Sequence, residues 1–314
     1  MCLKKIVRGL IISSLILLNF GCGKSEEKIE IGITQIVEHP ALDSAVIGFK
    51  EALKENGFDE TKVNFEIQNA QGDFGTAQTI AQGFVQSKKD LVLAVSTPSS
   101  QAMLNATNEI PILITAVTDP KAVGLVGKNL SGTTDMPPME KQVELIKKLL
   151  PNAKKVGFLY NTSEENSRVF LEKFRKIVEA NGLEIVEKGV TNVNEVGQAL
   201  DILLEDVDLL YTPSDNTVTS SISLISEKAK AKKVPMITSD DAQFGAGGLA
   251  TESIDFKNLG FQTGLMAVRI LNGEKVSDMP IESPKDTKLM IKPRVSKRIW
   301  NRNSKRFIRK VIIL

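Results

Sequence analysis

Short apolar runs recur along the chain, and each is followed by a cluster of small polar residues and then by an amphipathic stretch. Five such runs are Ile29–Ile33, Leu91–Val95, Val156–Tyr160, Leu209–Tyr211 and Pro235–Ile237. A run too short for a helix, followed by a turn and a helical pattern, predicts a strand and helix of a parallel sheet. Ligands bind at the carboxyl ends of such strands, so the polar clusters mark the predicted binding surface.

Strands alternate with helices from Ile29 to about Leu271, which predicts an α/β fold of two doubly wound parallel-sheet domains. The chain is expected to cross between the two lobes through a three-segment hinge near residues 131–138, near Ile254 and near residues 283–289. We assign residues 22–135 and 254–291 to the N-terminal lobe and residues 136–253 to the C-terminal lobe. Two hinged lobes around a cleft suit closure on a ligand.

The first residues have the features of a secretory signal. Three basic residues precede an apolar run at residues 10–20, which is too short to span a bilayer, and a small-residue junction surrounds Cys22. We therefore predict that residues 1–21 are a signal peptide and that Cys22 carries a lipid anchoring the protein outside the cytoplasm, on the bacterial membrane. The alternative is an ordinary cleaved signal. Either way, no cysteine pair remains for an internal disulfide, so stability must come from an apolar core.

The charges are distributed unevenly. All 38 acidic residues, but only 27 of the 40 basic residues, lie between Cys22 and Asp286. An acidic folded body disfavours a nucleic-acid partner. Residues 292–314 form a basic tail, and shifting the reading frame by one base from Lys292, with suitable synonymous codons, gives an acidic and basic sequence ending in an amphipathic helix. Our hypothesis is a frameshift product; the alternatives are a membrane-surface or nucleic-acid patch.

Two polar clusters in the first lobe are candidates for binding an anion. In the first, Gln35, Glu38 and His39 lie between a strand end and a helix start, where backbone N–H groups suit a carboxylate. The alternative is that His39 only caps the helix; as the single histidine, without ligand-type neighbours at suitable spacing, it does not indicate a metal site. The second cluster, residues 96–100, combines hydroxyls with another helix start, and capping explains Thr97 but not the excess of hydroxyls.

Acidic residues follow other strands. Asp215 is a candidate partner for the ammonium of a zwitterion, because a desolvated cation needs a carboxylate opposite it. Its alternative role is a helix cap, for which Asn216 competes. Asp119 and Asp240 are further candidates, with a simple turn as the alternative for Asp119. Four aromatic residues could form a wall for an apolar side chain or could pack within their own lobes: Phe74, Tyr160, Tyr211 and Phe244.

Several strings resemble one known family: GITQIVEHPALD, QNAQGD, STPSSQA, TAVTDPKAVGLV, LLPNAKKVGFLYNTSEENS, YTPSDNTV and VPMITSDDAQFGAGGLAT. From about Ile29 to Ile291 the chain resembles the substrate-binding lipoproteins of ABC importers with the type I periplasmic-binding-protein fold. The similarity is to the subgroup that binds tryptophan or related aromatic amino acids. The ligand-binding positions that it implies are Thr34, Gln35, Glu38, His39, Ser96, Thr97, Pro98, Thr118, Asp119, Asn161, Ser163, Glu164, Asp215, Asn216 and Asp240.

The resemblance implies a monomer without cofactor or metal that captures an amino acid by lobe closure and delivers it to an ABC permease. A receptor that signals to a membrane kinase, or one that binds a nucleoside or peptide, remains an alternative. A two-cysteine racemase and a serine hydrolase are disfavoured, because the mature chain lacks a cysteine pair and a G-x-S-x-G motif. A LacI-like regulator would begin with a helix-turn-helix, whereas this chain begins with a secretory signal.

Overall fold

The computed structural model describes residues 28–284 and 286–292 and the backbone of a short strand, Val311–Ile312. The predictions for the signal peptide, for Cys22 and for nearly all of the basic tail fall outside these residues. Within them, no helix is long and apolar enough to cross a membrane.

Strands and helices alternate through most of the described chain. The strands are β1 (Ile29–Gln35), β2 (Val63–Asn69), β3 (Leu91–Val95), β4 (Ile112–Val117), β5 (Leu130–Thr134), β6 (Lys155–Asn161), β7 (Glu184–Val190), β8 (Leu209–Thr212), β9 (Met236–Thr238), β10 (Ala250–Ile254), β11 (Thr287–Ile291) and β12 (Val311–Ile312). The helices are α1 (Pro40–Glu55), α2 (Phe74–Gln86), α3 (Thr97–Ala106), α4 (Met139–Leu149), α5 (Glu165–Ala180), α6 (Val196–Leu203), α7 (Asn216–Ser220), α8 (Ile222–Ala231), α9 (Asp241–Ala246) and α10 (Phe256–Leu271).

The strands form two sheets, one in each lobe. The first has the order β2-β1-β3-β4-β5, and all its pairs are parallel. The second has the order β12-β11-β10-β9-β8-β6-β7, in which only the β10–β11 pair is antiparallel among the strands described. Helices cover these sheets, and each lobe has its own buried apolar core. The predicted α/β fold with two parallel-dominated sheets is confirmed.

The third chain crossing falls earlier than our predicted boundary at residue 291. Residues 287–291 form β11, which pairs with β10 from Ala250↔Ile291 to Ile254↔Thr287 and so lies in the second sheet. Burial of Met290 and Ile291 accounts for this placement, since these apolar side chains complete the second lobe. The return to the first lobe is made by α10 and the segment after it, in which Met279 joins the first core and Glu282 forms a bridge with Thr133 of β5.

Glycines allow α10 to pack closely against α1 of the first lobe. A Cβ on Gly260 would lie 1.8 Å from the carbonyl oxygen of Ala45, and one on Gly48 would lie 2.0 Å from that of Lys257. Both distances are far below van der Waals contact, so neither position accepts a side chain without moving a helix. Phe256 and Met266 of α10 join the first core. The first lobe is therefore built from two distant parts of the chain.

Candidate functional site

The carboxyl ends of both sheets border one cavity between the lobes. Its empty space is about 320 Å³, including the part that opens to solvent. The first lobe lines it with His39, Ala41, Leu42, Ala116, Thr118, Asp135 and Phe256, and the second with Asn166, Ser214, Asp215, Asn216, Thr219 and Asp240. No lysine or arginine is among these lining residues.

Buried polar atoms without a hydrogen-bond partner concentrate at the strand ends. Four are side-chain hydroxyls of the first lobe and three are other atoms of cavity-lining residues: Thr34 Oγ1, Ser96 Oγ, Thr97 Oγ1 and Ser99 Oγ, then His39 Nδ1, Asp135 Oδ1 and Asn166 Oδ1. Leaving a buried polar group unpaired costs about 1–3 kcal/mol. Six of these atoms belong to the first lobe and one, in Asn166, to the second, and together they indicate surfaces built to bind a polar ligand.

The hydroxyl cluster lies at the start of α3. Ser96 and Thr97 are 1% exposed and Ser99 is fully buried, so their hydroxyls cannot be paired with bulk water. The backbone of Ser96 has φ of +83°, a strained value for a residue other than glycine. Backbone strain of this kind is typical of ligand-binding positions. Unpaired hydroxyls beside a helix N-terminus favour an anionic group.

Burial controls the protonation of the carboxylates near the cavity. Desolvation raises the pKa of Asp135 to about 6, with a hydrogen bond from Thr118 acting in the opposite direction. It likewise raises the pKa of Asp240 to about 7 and that of Glu164 to about 7, and raises the pKa of Asp215. The same loss of solvent lowers the pKa of His39 to about 4, so its ring is neutral. The cavity therefore favours a cationic group, which would stabilise ionised carboxylates.

Asp215 has both roles considered from the sequence, because it lines the cavity and also caps a helix. Its Oδ1 accepts from the backbone N–H of Val218 at 2.8 Å. Its Oδ2 accepts from the backbone N–H of Asn161 at 2.7 Å and from the Ser167 hydroxyl at 2.6 Å. Its carboxylate is thus well supplied with protein donors. Asp240 also lines the cavity while capping α9 through the N–H of Gln243.

The structure places the other predicted residues in three groups. Thr118, His39 and Asn216 line the cavity, and the Nε2 of His39 lies 3.4 Å from the Oδ1 of Asn216 in the opposite lobe. Glu164 and Asn161 are buried behind the lining, and the Asn161 amide donates to Thr217 Oγ1 at 2.8 Å. The remaining predicted positions do not line this cavity.

Five predicted residues have other surroundings. Gln35 is buried and donates to Asp43 at 3.1 Å, whereas Glu38 is exposed. Asp119 accepts from the N–H of Ala122 and pairs with Lys173. Pro98 and Ser163 lie on a separate groove of about 760 Å³ of open space at the cleft rim. None of these five residues lines the cavity.

The aromatic candidates do not form the cavity wall. Tyr211 is fully buried in the second core, where it stacks on Phe174 with centroids 4.2 Å apart and donates to Gln142 Oε1 at 2.5 Å. Phe74 lies on the rim groove. The aromatic residue in the lining is Phe256, at the start of α10. It follows a strand of the second sheet, so the strand-end pattern could have indicated it.

Asp135 and Asn166 are lining residues that the sequence analysis did not select. Asp135 directly follows β5, in the same position relative to its strand as the predicted clusters, but the sequence analysis treated this segment as hinge. Asn166 lies in the first turn of α5. Among the described residues, no group of three or more His, Cys, Asp or Glu side chains is arranged to hold a metal ion.

Comparison with known proteins identifies the family of this chain. The sequence profile of the family described as ABC transporter substrate binding protein matches residues 30–300. The chain belongs to this family. A curated relative, the tyrosine-binding protein of Clostridioides difficile, is 43% identical over 274 residues, which cover 85% of this chain and 79% of the relative. Family membership indicates a binding, non-catalytic role outside the cytoplasm, with a small-molecule ligand and an ABC permease as partners.

Two similar solved structures differ in how closely they match the arrangement of the lobes. An ABC domain in complex with L-Trp from Streptococcus pneumonia matches with TM-score 0.83 and 33% identity, covering 87% of this chain and 95% of that one. The ligand-free, open structure of a substrate binding protein with adhesive properties from Clostridium difficile matches with TM-score 0.66 and 44% identity, covering 90% and 99%. The present protein is thus more similar in shape to the L-Trp complex than to the open structure, although its sequence is more similar to that of the open structure. This relation indicates closed lobes, in agreement with the contact between His39 and Asn216.

Proposed function

We propose that this substrate-binding protein captures an aromatic L-amino acid, with tyrosine and tryptophan as the first candidates, and delivers it to an ABC permease. The observation that carries the proposal is that the cleft has two groups of buried, unpaired polar atoms, one offering hydrogen-bond donors and the other acceptors. Hydroxyls at the start of α3 offer donors, and the cavity offers carboxylate and other acceptors. A zwitterion needs both.

The aromatic side chain is proposed on two grounds. The tyrosine-binding relative and the L-Trp complex both have an aromatic amino acid as ligand. Phe256, Leu42 and Ala116 supply apolar surface on the cavity wall. Apolar lining with a few polar groups is the usual composition of a small-molecule site. Lobe closure would bury the ring, and the closed state would be stabilised by its higher affinity for the ligand.

The proposed location follows from the first residues of the chain. Residues 1–21 are removed as a signal peptide, and a diacylglycerol-modified Cys22 holds a monomer at the outer face of the membrane. Because two or three acyl chains anchor a protein stably, the protein stays near its permease. Membrane extraction of the native protein and of Cys22→Ser, followed by intact mass measurement and light scattering, tests these statements. A native protein recovered without lipid would contradict them.

The ligand is tested by native mass spectrometry of protein purified without refolding, followed by calorimetry. We expect a retained amino acid, and after its removal we expect binding of L-tyrosine or L-tryptophan in preference to L-leucine and adenosine. Binding of adenosine without any amino acid would replace the proposal with a nucleoside receptor. A correctly folded protein that binds no amino acid in this panel would overturn it.

A further inference from the structure

Three unpaired acceptor atoms line the interlobe cavity. They are Asp135 Oδ1, Asn166 Oδ1 and His39 Nδ1. Each residue is at least nine-tenths buried, with exposures of 4%, 3% and 7%. Whether an amide oxygen and a ring nitrogen act as acceptors depends on how the amide and the ring are oriented, so their surroundings decide the chemistry of this group.

Glu164 fixes the orientation of Asn166. The Nδ2 of Asn166 donates to Glu164 Oε2 at 3.2 Å and to Ser167 Oγ at 3.3 Å. The amide nitrogen is therefore committed to the second lobe. The Oδ1 on the other side of the amide is left as a buried acceptor without a protein donor.

Glu164 also determines the tautomer of His39, through Asn216. The Nδ2 of Asn216 donates to Glu164 Oε2 at 2.6 Å, so its Oδ1 faces the other way as an acceptor. That Oδ1 lies 3.4 Å from the Nε2 of His39, which must therefore carry the ring proton. Because burial keeps the ring neutral, Nδ1 has a free lone pair. One carboxylate in the second lobe thus orients acceptors in both lobes.

We propose that Asp135, Asn166 and His39 together bind the primary ammonium group of the ligand, and that Glu164 is the positioning residue for two of them. An ammonium on a carbon chain has three N–H donors, which equals the number of free acceptors. This inference rests on the proposed function and assigns the amine to Asp135 instead of Asp215, whose carboxylate is occupied by three protein donors.

The assignment predicts selection for an unsubstituted amine. A methyl group on the nitrogen removes one donor and needs space in a closed cavity, so one acceptor stays unpaired. Calorimetry with L-tyrosine, N-methyl-L-tyrosine and 3-(4-hydroxyphenyl)propionate measures the effect. We expect the N-methyl compound to bind at least tenfold more weakly than L-tyrosine, and the compound without an amine to bind at least a hundredfold more weakly.

Variants identify the residues responsible. We expect Asp135→Asn to weaken L-tyrosine binding at least tenfold while leaving the binding of the amine-free compound within twofold. Glu164→Gln should reduce the ratio of L-tyrosine to N-methyl-L-tyrosine affinity. In one orientation the glutamine NH2 faces the N–H of Thr217, and in the other it faces both asparagine amides, so a donor opposes a donor either way. Glu165→Gln, at the exposed neighbouring position, is the matched control and should leave this ratio unchanged. The melting temperature of each variant separates misfolding from lost recognition.

The outcomes distinguish this inference from the function on which it rests. If the folded native protein binds none of the aromatic amino acids, both are overturned. If it binds L-tyrosine but accepts the amine-free compound equally well, only the ammonium assignment is wrong. If Asp215→Asn removes discrimination between these compounds and Asp135→Asn does not, the amine belongs to Asp215.

Discussion

Asp119 of the first lobe and Lys173 of the second form an ion pair across the rim of the cleft. Asp119 belongs to the turn after β4, and Lys173 lies on α5. Val169, one helical turn before Lys173, packs against the first core. The face of α5 that carries both residues therefore contacts the other lobe when the protein is closed.

We expect Lys173→Ala to weaken ligand binding about two- to fivefold, since an exposed ion pair contributes about 0.2–1 kcal/mol. The loss should appear as faster ligand dissociation, because the pair stabilises the closed state. Stopped-flow measurements at low and high salt check this prediction, and the difference from the native protein should shrink at high salt. Lys228→Ala removes a similar pair with Asp201 inside the second lobe and is the control. Equal effects of the two variants would contradict a role in closure.

The stability of the ligand-free protein should fall as the pH rises from about 6 to 8. Asp240 and Glu164 have pKa values of about 7 when folded and are ordinary carboxyls when unfolded, so the folded state holds more protons below that pH. Asp135 and Asp215 act in the same direction, because their pKa values are also raised. His39 has the opposite effect on stability between its folded pKa of about 4 and its ordinary pKa of about 6.5, because in that range the unfolded state holds more protons.

Thermal melts at pH 6 and pH 8 measure this dependence. We expect a lower melting temperature at pH 8, and we expect Asp240→Asn to reduce the difference because one of the titrating groups is removed. A bound amino acid should also reduce the difference, since its ammonium stabilises the ionised carboxylates. A melting temperature that rises from pH 6 to pH 8 in the ligand-free protein is incompatible with these buried, raised carboxyls.

Ser99→Ala should weaken the binding of an amino acid about tenfold or more. Its hydroxyl is fully buried and unpaired, and a hydrogen bond to a charged group contributes about 1.5–3 kcal/mol. Calorimetry with L-tyrosine and with tyramine, which lacks the carboxylate, distinguishes the partner. The variant should lose affinity for the amino acid and not for the amine. Ser44→Ala, on α1, is the control because its hydroxyl already donates to the carbonyl of Pro40.

Two glycine substitutions should change stability in opposite directions. Gly260→Ala places a Cβ against the backbone of α1 and should destabilise the protein by about 1–3 kcal/mol or more. Gly83→Ala, inside α2, meets no atom within 4 Å and should stabilise it by about 0.5–1 kcal/mol, because alanine is the better helix former. Urea unfolding measures both. A neutral Gly260→Ala would mean that α1 and α10 separate easily.

Five strands inside the two sheets could be predicted from apolar runs in the sequence, whereas the edge strands could not. All five apolar runs are strands, because a strand covered on both faces has a continuous apolar sequence. The edge strands β2 and β7 expose polar residues such as Gln68 and Glu187 and lack that pattern. The antiparallel placement of β11 depends on contacts with β10 that no local pattern encodes.

Part of the cavity lining was predicted from the sequence, but its detailed chemistry was not. Residue types after the strands indicated the edge of each sheet that borders the cavity, including His39 and Asp240. Which carboxylate remains available depends on the donors that surround it, and these come from distant segments. Asp215 receives donors from β6 and α5, while Asp135 keeps a free oxygen. Sequence spacing carries no information on this difference.

Because of the contact between α1 and α10, the first lobe can be completed only after the second lobe has been synthesised. The apolar face of α1, with Phe49 at its centre, is covered by a helix that is translated after nearly the whole second lobe. A nascent chain that ends before Phe256 leaves this face exposed. Such a chain offers a binding surface to chaperones until α10 emerges.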